Sequence, residues 1–162
     1  MAQSTMKIGS QAPDITLPDQ RGEPVRLADL LREGPVVLFF YPKDDTPVCT
    51  AEACAFRDDH DSFAEAGATV VGVSSDSAES HRRFSSRHGL PFTLLSDEDG
   101  LARKSFGVPK VLGLLPGRVT YVIDSSGEIR HVFSSQLQAR SHVEEALATV
   151  RRLAAAASRS PT

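Results

Sequence analysis

Residues 38–54 read LFFYPKDDTPVCTAEAC, an apolar strand that leads through a short polar loop into a helix. Thr46 suits the N-cap of that helix, and Pro47 suits its first position, where a missing backbone N–H costs nothing. Cys49 then lies in the first turn. Unpaired backbone N–H groups and the positive end of the helix dipole favour an anion there, so this thiol is predicted to ionise easily and to be reactive.

The composition is typical of one folded α/β domain, which we expect to span residues 1–162 with fraying at residues 1–6 and 156–162. Eighteen basic and 21 acidic residues give a net charge of −3, and no stretch is basic enough to predict a nucleic acid partner. No segment resembles a secretion signal or a membrane span, so a cytoplasmic protein with no membrane association is expected. A monomer is also expected. In a reducing compartment, two cysteines are more often catalytic or metal-binding than structural.

The order of predicted elements is that of a thioredoxin-like α/β fold with an N-terminal β-hairpin extension. Two capping boxes, Asp76 with Glu79 and Ser141 with Glu144, are predicted to open the second and last long helices. The predicted elements are a hairpin (15–17 and 24–27), a buried strand (36–41), a helix (47–66), a strand (68–74), a helix (76–88), a strand (92–95), a short helix (99–106), a loop (107–117), a hairpin (119–124 and 128–133) and a helix ending at Leu153.

Several ordinary roles are open to Cys49. A cysteine is often a small buried hydrophobe, but the first turn of a helix favours a reactive thiol instead. Thioredoxin-type disulfide exchange normally uses Cys-x-x-Cys, whereas four residues separate Cys49 from Cys54. A zinc site would need two further ligands near the pair, and none is expected because the histidines are dispersed over faces predicted to be polar: His60, His81, His88, His131 and His142.

The pattern Pro42-x3-Thr46-x2-Cys49, followed by x4-Cys54, resembles the active site of the peroxiredoxins, specifically the bacterioferritin-comigratory or Q-type branch. The similarity extends over nearly the whole chain and includes residues 118–124. It implies that Cys49 attacks a peroxide and becomes a sulfenic acid, which Cys54 then resolves as a disulfide.

The same resemblance implies roles for three other residues. Thr46 would bind the peroxide, Pro42 would shield the sulfenic acid, and the guanidinium of Arg118 would face the thiolate. Taken singly, these residues would more often be an N-cap, a strand terminator and a solvated charge. Glu52 has two open roles, since it either orients Arg118 or complements the helix N-terminus.

The remaining charged residues near the motif are expected to be solvated. Arg140 is a candidate second active-site arginine, although a surface charge is the favoured interpretation. The other residues expected to be solvated are Lys43, Asp44, Asp45, Asp58 and Asp59.

The resemblance implies a thiol peroxidase that reduces hydrogen peroxide and small organic hydroperoxides, with thioredoxin or a similar dithiol protein as reductant. It implies no metal, haem or flavin cofactor. The alternative function is a non-enzymatic redox sensor that passes its disulfide to a partner protein. A thioredoxin-like thiol exchanger is the weaker third hypothesis.

Overall fold

A five-stranded sheet forms the centre of the molecule. Its strands lie in the order β5 (Thr93–Ser96), β4 (Thr69–Ser74), β3 (Val36–Phe40), β8 (Val119–Ile123) and β9 (Ile129–Ser134). β3 runs parallel to β4 and β4 parallel to β5, whereas β8 and β9 are antiparallel to their neighbours. This order matches the thioredoxin-like arrangement predicted from the sequence.

The computed structural model describes residues 5–111 and 115–159. Its helices are α1 (Leu27–Leu31), α2 (Pro47–Asp58), α3 (His60–Glu65), α4 (Ala78–His88), α5 (Leu101–Ser105) and α6 (Ala139–Arg159). Among these helices, none combines the length and the hydropathy needed to cross a bilayer.

The central strand β3 is covered on both faces, because all five of its residues are at most 2% exposed. Alternate residues point to opposite sides of the sheet. Phe39 packs on the side of α2 and α6, where its ring stacks on Phe56 of α2 with a centroid distance of 4.5 Å. Phe40 packs on the other side, against Phe106 and Tyr121. The helix that carries Cys49 is therefore held against the centre of the sheet.

The predicted N-terminal hairpin is confirmed as β1 (Thr16–Pro18) paired antiparallel with β2 (Pro24–Arg26). A second short pair, β6 (Lys110–Val111) with β7 (Leu115–Pro116), lies in the region predicted to be a loop. Residues 112–114 of that predicted loop are outside the described residues.

The helix predicted over residues 47–66 is two helices. α2 ends at Asp58, Asp59 leaves the helical conformation (φ −98°, ψ 11°), and α3 begins at His60. An aspartate side chain competes for nearby backbone groups and is unfavourable inside a helix, so two in succession favour an end there.

The predicted caps of α4 and α6 are wrong. The N-cap of α4 is Ser77, whose hydroxyl accepts a hydrogen bond from the Ser80 backbone N–H, and not Asp76. α6 already begins before Ser141, and it continues past Leu153 to Arg159. The fraying expected of residues 1–4 and 160–162 lies outside the described residues.

Asp44, expected to be solvated, is only 5% exposed and forms the centre of a polar cluster beneath the loop before Cys49. Its carboxylate accepts hydrogen bonds from the hydroxyls of Tyr41 (2.5 Å) and Ser80 (2.8 Å) and lies 2.7 Å from Nδ1 of His81. His81 is itself fully buried on α4. The cluster therefore ties this loop to α4.

Neighbouring aspartates provide a matched test of this cluster. Asp44→Asn should lower the free energy of unfolding by about 2–4 kcal/mol, because buried partners lose a charged acceptor. Asp45→Asn removes the same charge from a half-exposed ion pair with Arg87 and should cost less than about 1 kcal/mol. Urea denaturation of the two variants measures the difference, and equal losses would contradict the structural role given to Asp44.

Candidate active site

Cys49 occupies the third position of α2, as the sequence predicts. Thr46 is the N-cap residue, with an extended backbone (φ −95°, ψ 153°), and Pro47 is the first helical residue. Cys49 is 1% exposed and begins the face of α2 that packs into the core, together with Ala53 and Phe56. Its sulfur thus lies at the positive end of a helix and beneath the surface.

Strand register brings Arg118 to Cys49 although 69 residues separate them. Phe40 at the end of β3 pairs with Val119 at the start of β8, so Arg118 lies just beyond that pair. At the same end of β3, the chain continues into the loop that leads to Cys49. The two functional groups therefore meet at one end of the central strand pair.

Each nitrogen of the Arg118 guanidinium donates a hydrogen bond. Nη2 donates to Sγ of Cys49 (3.2 Å), Nη1 to Oε1 of Glu52 (2.7 Å) and Nε to the carbonyl of Gln136 (3.1 Å). The side chain of Arg118 is 3% exposed and that of Glu52 is fully buried. A planar guanidinium held at three points has little freedom to turn away from the sulfur.

Burial and charge have opposite effects on the pKa values of Glu52 and Arg118. Burial raises the pKa of Glu52 to about 7, although the charge of Arg118 and its hydrogen bond oppose the rise. Burial by itself lowers the pKa of Arg118, but Glu52 and Cys49 outweigh it, so the pKa of Arg118 is raised. The site therefore contains a permanent cation that faces both a sulfur and a carboxyl group.

Thr46 and Pro42, the two loop residues implied by the resemblance, are half-buried on the segment before Cys49. The hydroxyl of Thr46 donates to the Lys43 carbonyl (2.8 Å) and does not cap the helix. Its lone pairs can still accept a hydrogen bond, which suits an approaching O–H group.

Cys54 lies on α2 at its eighth position and is half-buried. On an intact helix its Cα is roughly 8.7 Å from that of Cys49, from about 7.5 Å of rise and a chord near 4.3 Å. The helix therefore keeps the two thiols apart.

Arg140 is a surface residue, 57% exposed, and pairs with Asp59 (3.5 Å) and Glu144 (3.4 Å). This placement agrees with the favoured interpretation of Arg140 as a surface charge.

Sequence reasoning missed His142, which was assigned to a polar face but is fully buried on α6. Its Nε2 lies 2.8 Å from the Ser135 carbonyl and its Nδ1 2.7 Å from the Thr120 hydroxyl. Nδ1 is also 3.5 Å from Oε2 of Glu52. A signal was available, because His142 precedes the buried Ala146 by four residues and so shares its face of the helix.

A second buried histidine, His81, was also assigned wrongly to a polar face. With Asp44 and Asp76 it brings three potential metal-ligand atoms within 4.8 Å of one another. Hydrogen bonds from neighbouring hydroxyl and backbone groups already occupy both carboxylates. We therefore describe this group as a hydrogen-bonded cluster and assign it no metal.

Comparison with known proteins places this site in a family. Residues 8–132 match the model of the AhpC/TSA family. The chloroplastic peroxiredoxin Q of Sedum lineare is 52% identical over 140 residues, which cover 86% of this chain and 75% of that protein. The chloroplastic peroxiredoxin Q of Oryza sativa subsp. japonica is 50% identical, and the match covers 86% of this chain and 64% of the rice protein.

Solved structures agree with the sequence comparison. Peroxidoxin BcpB from Mycobacterium tuberculosis superposes with a TM-score of 0.86 at 44% identity, over 91% of this chain and 98% of that one. The bacterioferritin comigratory protein of Xanthomonas campestris superposes with a TM-score of 0.79 at 31% identity, over 86% of this chain and 92% of that one. The chain therefore belongs to the AhpC/TSA family and, within it, to the Q-type peroxiredoxins.

Proposed function

We propose that the protein is a thiol-dependent peroxidase in which Cys49 reduces the peroxide. The observation that carries this proposal is the hydrogen bond from the buried Arg118 guanidinium to the Cys49 sulfur at the start of a helix. A structural cysteine has no need of a fixed cation, whereas a thiolate nucleophile does. The family to which the chain belongs supports the same chemistry.

The peroxidatic step transfers one oxygen atom. The Cys49 thiolate attacks one peroxide oxygen, the O–O bond breaks, and the second oxygen leaves with a proton as water or an alcohol. The sulfur gains the first oxygen and, after protonation, is a sulfenic acid. Sulfur is oxidised by two electrons and the peroxide is reduced by two.

Ionisation alone would not make this step fast. Lowering a thiol pKa from about 8.5 to about 6 raises the thiolate fraction at neutral pH only about thirtyfold, and low-pKa thiolates are weaker nucleophiles. The larger contribution must come from donors fixed where the leaving oxygen develops charge. We assign this role to Arg118 and to the backbone N–H groups at the start of α2, with Thr46 accepting from the peroxide hydroxyl and Pro42 shielding the product.

We propose hydrogen peroxide and small organic hydroperoxides as substrates. The Xanthomonas campestris relative is described by its alkyl peroxide reduction activity, which supports the organic class. We further propose thioredoxin or a similar dithiol protein as reductant, and a monomer in the cytoplasm, where such reductants keep thiols reduced.

The competing hypothesis, a redox sensor without turnover, makes a different kinetic prediction. Stopped-flow mixing of the reduced protein with peroxide, followed by turnover with a thioredoxin system, separates the two. Rapid oxidation with many turnovers is expected of the peroxidase. Slow oxidation with a stable mixed disulfide to a partner would favour the sensor.

Resolution by Cys54 requires α2 to unwind. Disulfides rarely tolerate Cα atoms more than about 7 Å apart, and side chains five residues apart also point about 140° away from each other. The bond to Cys49 cannot form while residues 47–54 are helical. Unwinding must also withdraw the buried Glu52 from Arg118, so oxidation and loss of the reduced site are coupled.

The two cysteines should respond differently to substitution. Cys49→Ser should abolish peroxide consumption, whereas Cys54→Ser should keep the first oxidation and accumulate a sulfenic acid that dimedone traps. Cys54→Ser should also be over-oxidised more readily, because no second thiol condenses with the product. Mass spectrometry after a peroxide pulse measures each product, and loss of the first step in Cys54→Ser would contradict the assignment.

Arg118→Lys should separate the charge from the shape of the guanidinium. Lysine keeps the positive charge but not the planar fork, so the rate with peroxide should fall by about 10²–10³. The pH midpoint of Cys49 alkylation by iodoacetamide should move much less. Negligible change in both measurements would place Arg118 outside the reaction.

Oxidation should expose the backbone of α2. Amide exchange across residues 46–56 should be faster in the disulfide form than in the reduced form, and helical circular dichroism should decrease. Exchange in α6 provides the internal reference and should change little. A disulfide that forms while α2 stays protected would mean that Cys54 is not the resolving residue.

A further inference from the structure

Glu52 has a buried oxygen that the bond to Arg118 does not explain. Oε1 accepts from Arg118, but Oε2 is buried with no hydrogen-bond partner. The ring nitrogen Nδ1 of His142 lies 3.5 Å from it. An unpaired buried carboxylate oxygen is costly because its desolvation is not compensated, and such an atom calls for an explanation.

The protons on His142 follow from its partners. Nε2 faces the carbonyl of Ser135, which only accepts, so Nε2 carries a proton. Burial, and also the charge of Arg118, lower the pKa of His142 to about 4, so at neutral pH Nδ1 presents a lone pair. The Thr120 hydroxyl donates to this lone pair. An ionised Glu52 turns a charged oxygen toward the same lone pair. A protonated Glu52 would donate to that lone pair in place of the Thr120 hydroxyl, because one imidazole lone pair accepts one strong hydrogen bond.

We propose that Glu52 and His142 form a proton-sharing pair that takes up a proton when the Cys49 thiolate forms, with His142 as a positioning residue. The proposal rests on the proposed function of Cys49. The proton lies between Oε2 of Glu52 and Nδ1 of His142. Arg118 transmits its effect, because the same guanidinium donates to Glu52 and to the Cys49 sulfur.

Charge balance in the buried site explains why the pair would take up a proton when Cys49 ionises. With Cys49 as a neutral thiol, the carboxylate of Glu52 compensates Arg118. With Cys49 as a thiolate, an ionised Glu52 would place a second anion on one cation among buried side chains. If the pair gains a proton as Cys49 loses one, the net charge of the site stays at zero in both states. The pKa of Glu52, raised to about 7, is suited to such an exchange near neutral pH.

The groups that face the pair come from several parts of the chain. The segment before β8 contributes Arg118, whose guanidinium also donates to the Cys49 sulfur. β8 contributes the neutral hydroxyl of Thr120, and β9 contributes the ring of Phe133, whose centroid lies 4.7 Å from that of His142. Among these groups Arg118 is the charged one, and its hydrogen bonds to Glu52 and to Cys49 link the pair to the thiol.

A double-mutant cycle tests the pair through the pH midpoint of Cys49 alkylation. The amide of His142→Asn can donate to Oε2 and hold Glu52 ionised, so the midpoint should rise by about one pH unit. Glu52→Gln removes the competing anion and should lower it. In the double variant the effect of His142→Asn on the midpoint should disappear, because Glu52→Gln leaves no carboxylate that the amide could keep ionised. An equal shift in both backgrounds, or no shift, would overturn the proposal.

His131→Asn is the matched control. His131 lies on β9, 3.8 Å from Glu145 of α6, and should leave the midpoint unchanged. Alkylation needs no peroxide, so these outcomes are independent of the peroxidase assay. If the wild-type protein turns over peroxide but His142→Asn does not shift the alkylation midpoint, the proton sharing is refuted and the peroxidase function is not.

Infrared spectroscopy tests the pair without altering His142, and so remains decisive if His142→Asn does not fold. The wild-type protein with Cys49 as thiolate should show the carbonyl band of a protonated carboxyl group, identified by its absence in Glu52→Gln. The band should be weaker in Cys49→Ser, where no thiolate competes for Arg118. A band of equal strength in both proteins, or none in the wild type, would contradict the proposal.

Discussion

The buried charge of Arg118 is the constraint on which the site depends. A guanidinium away from water needs hydrogen-bond partners, and here each of its three nitrogens has one: a backbone carbonyl, a carboxyl group and a sulfur. Two of these partners, Cys49 and Glu52, lie on α2, and the third, Gln136, lies between β9 and α6. Satisfying one side chain therefore fixes the start of α2 against the segment between β9 and α6. The same requirement aims a positive charge at Cys49, so the stability of the site and the reactivity of its thiol have one source.

That arrangement sets two demands on α2 that oppose each other. The reduced enzyme needs an intact helix, because the first turn stabilises the thiolate and Glu52 orients Arg118. Resolution by Cys54 needs the same turns to open. Phe56, stacked on Phe39 of the central strand, can hold the far end of α2 to the sheet while the turns before it unwind. The polar cluster around Asp44 restrains the near end by tying the preceding loop to α4.

Local signals explain which parts of the sequence interpretation are confirmed. The apolar run of β3, the N-cap position of Thr46 and the proline after it depend on neighbours within a few residues, and the structure places all three as predicted. Helix ends were less predictable. The break at Asp59 and the true cap at Ser77 depend on which of several adjacent polar residues bonds the backbone, and packing decides that choice.

By itself, the sequence determined a thioredoxin-like sheet and a cysteine in the first turn of a helix, because periodicity and capping are properties of short segments. Tertiary structure decided what surrounds that cysteine. The register of β3 with β8 brings Arg118 to it across 69 residues. The packing of α6 on the sheet turns His142 inward, toward Glu52. Both contacts join residues far apart in the chain, and a buried polar residue satisfied by such partners looks, in the sequence, like any exposed one.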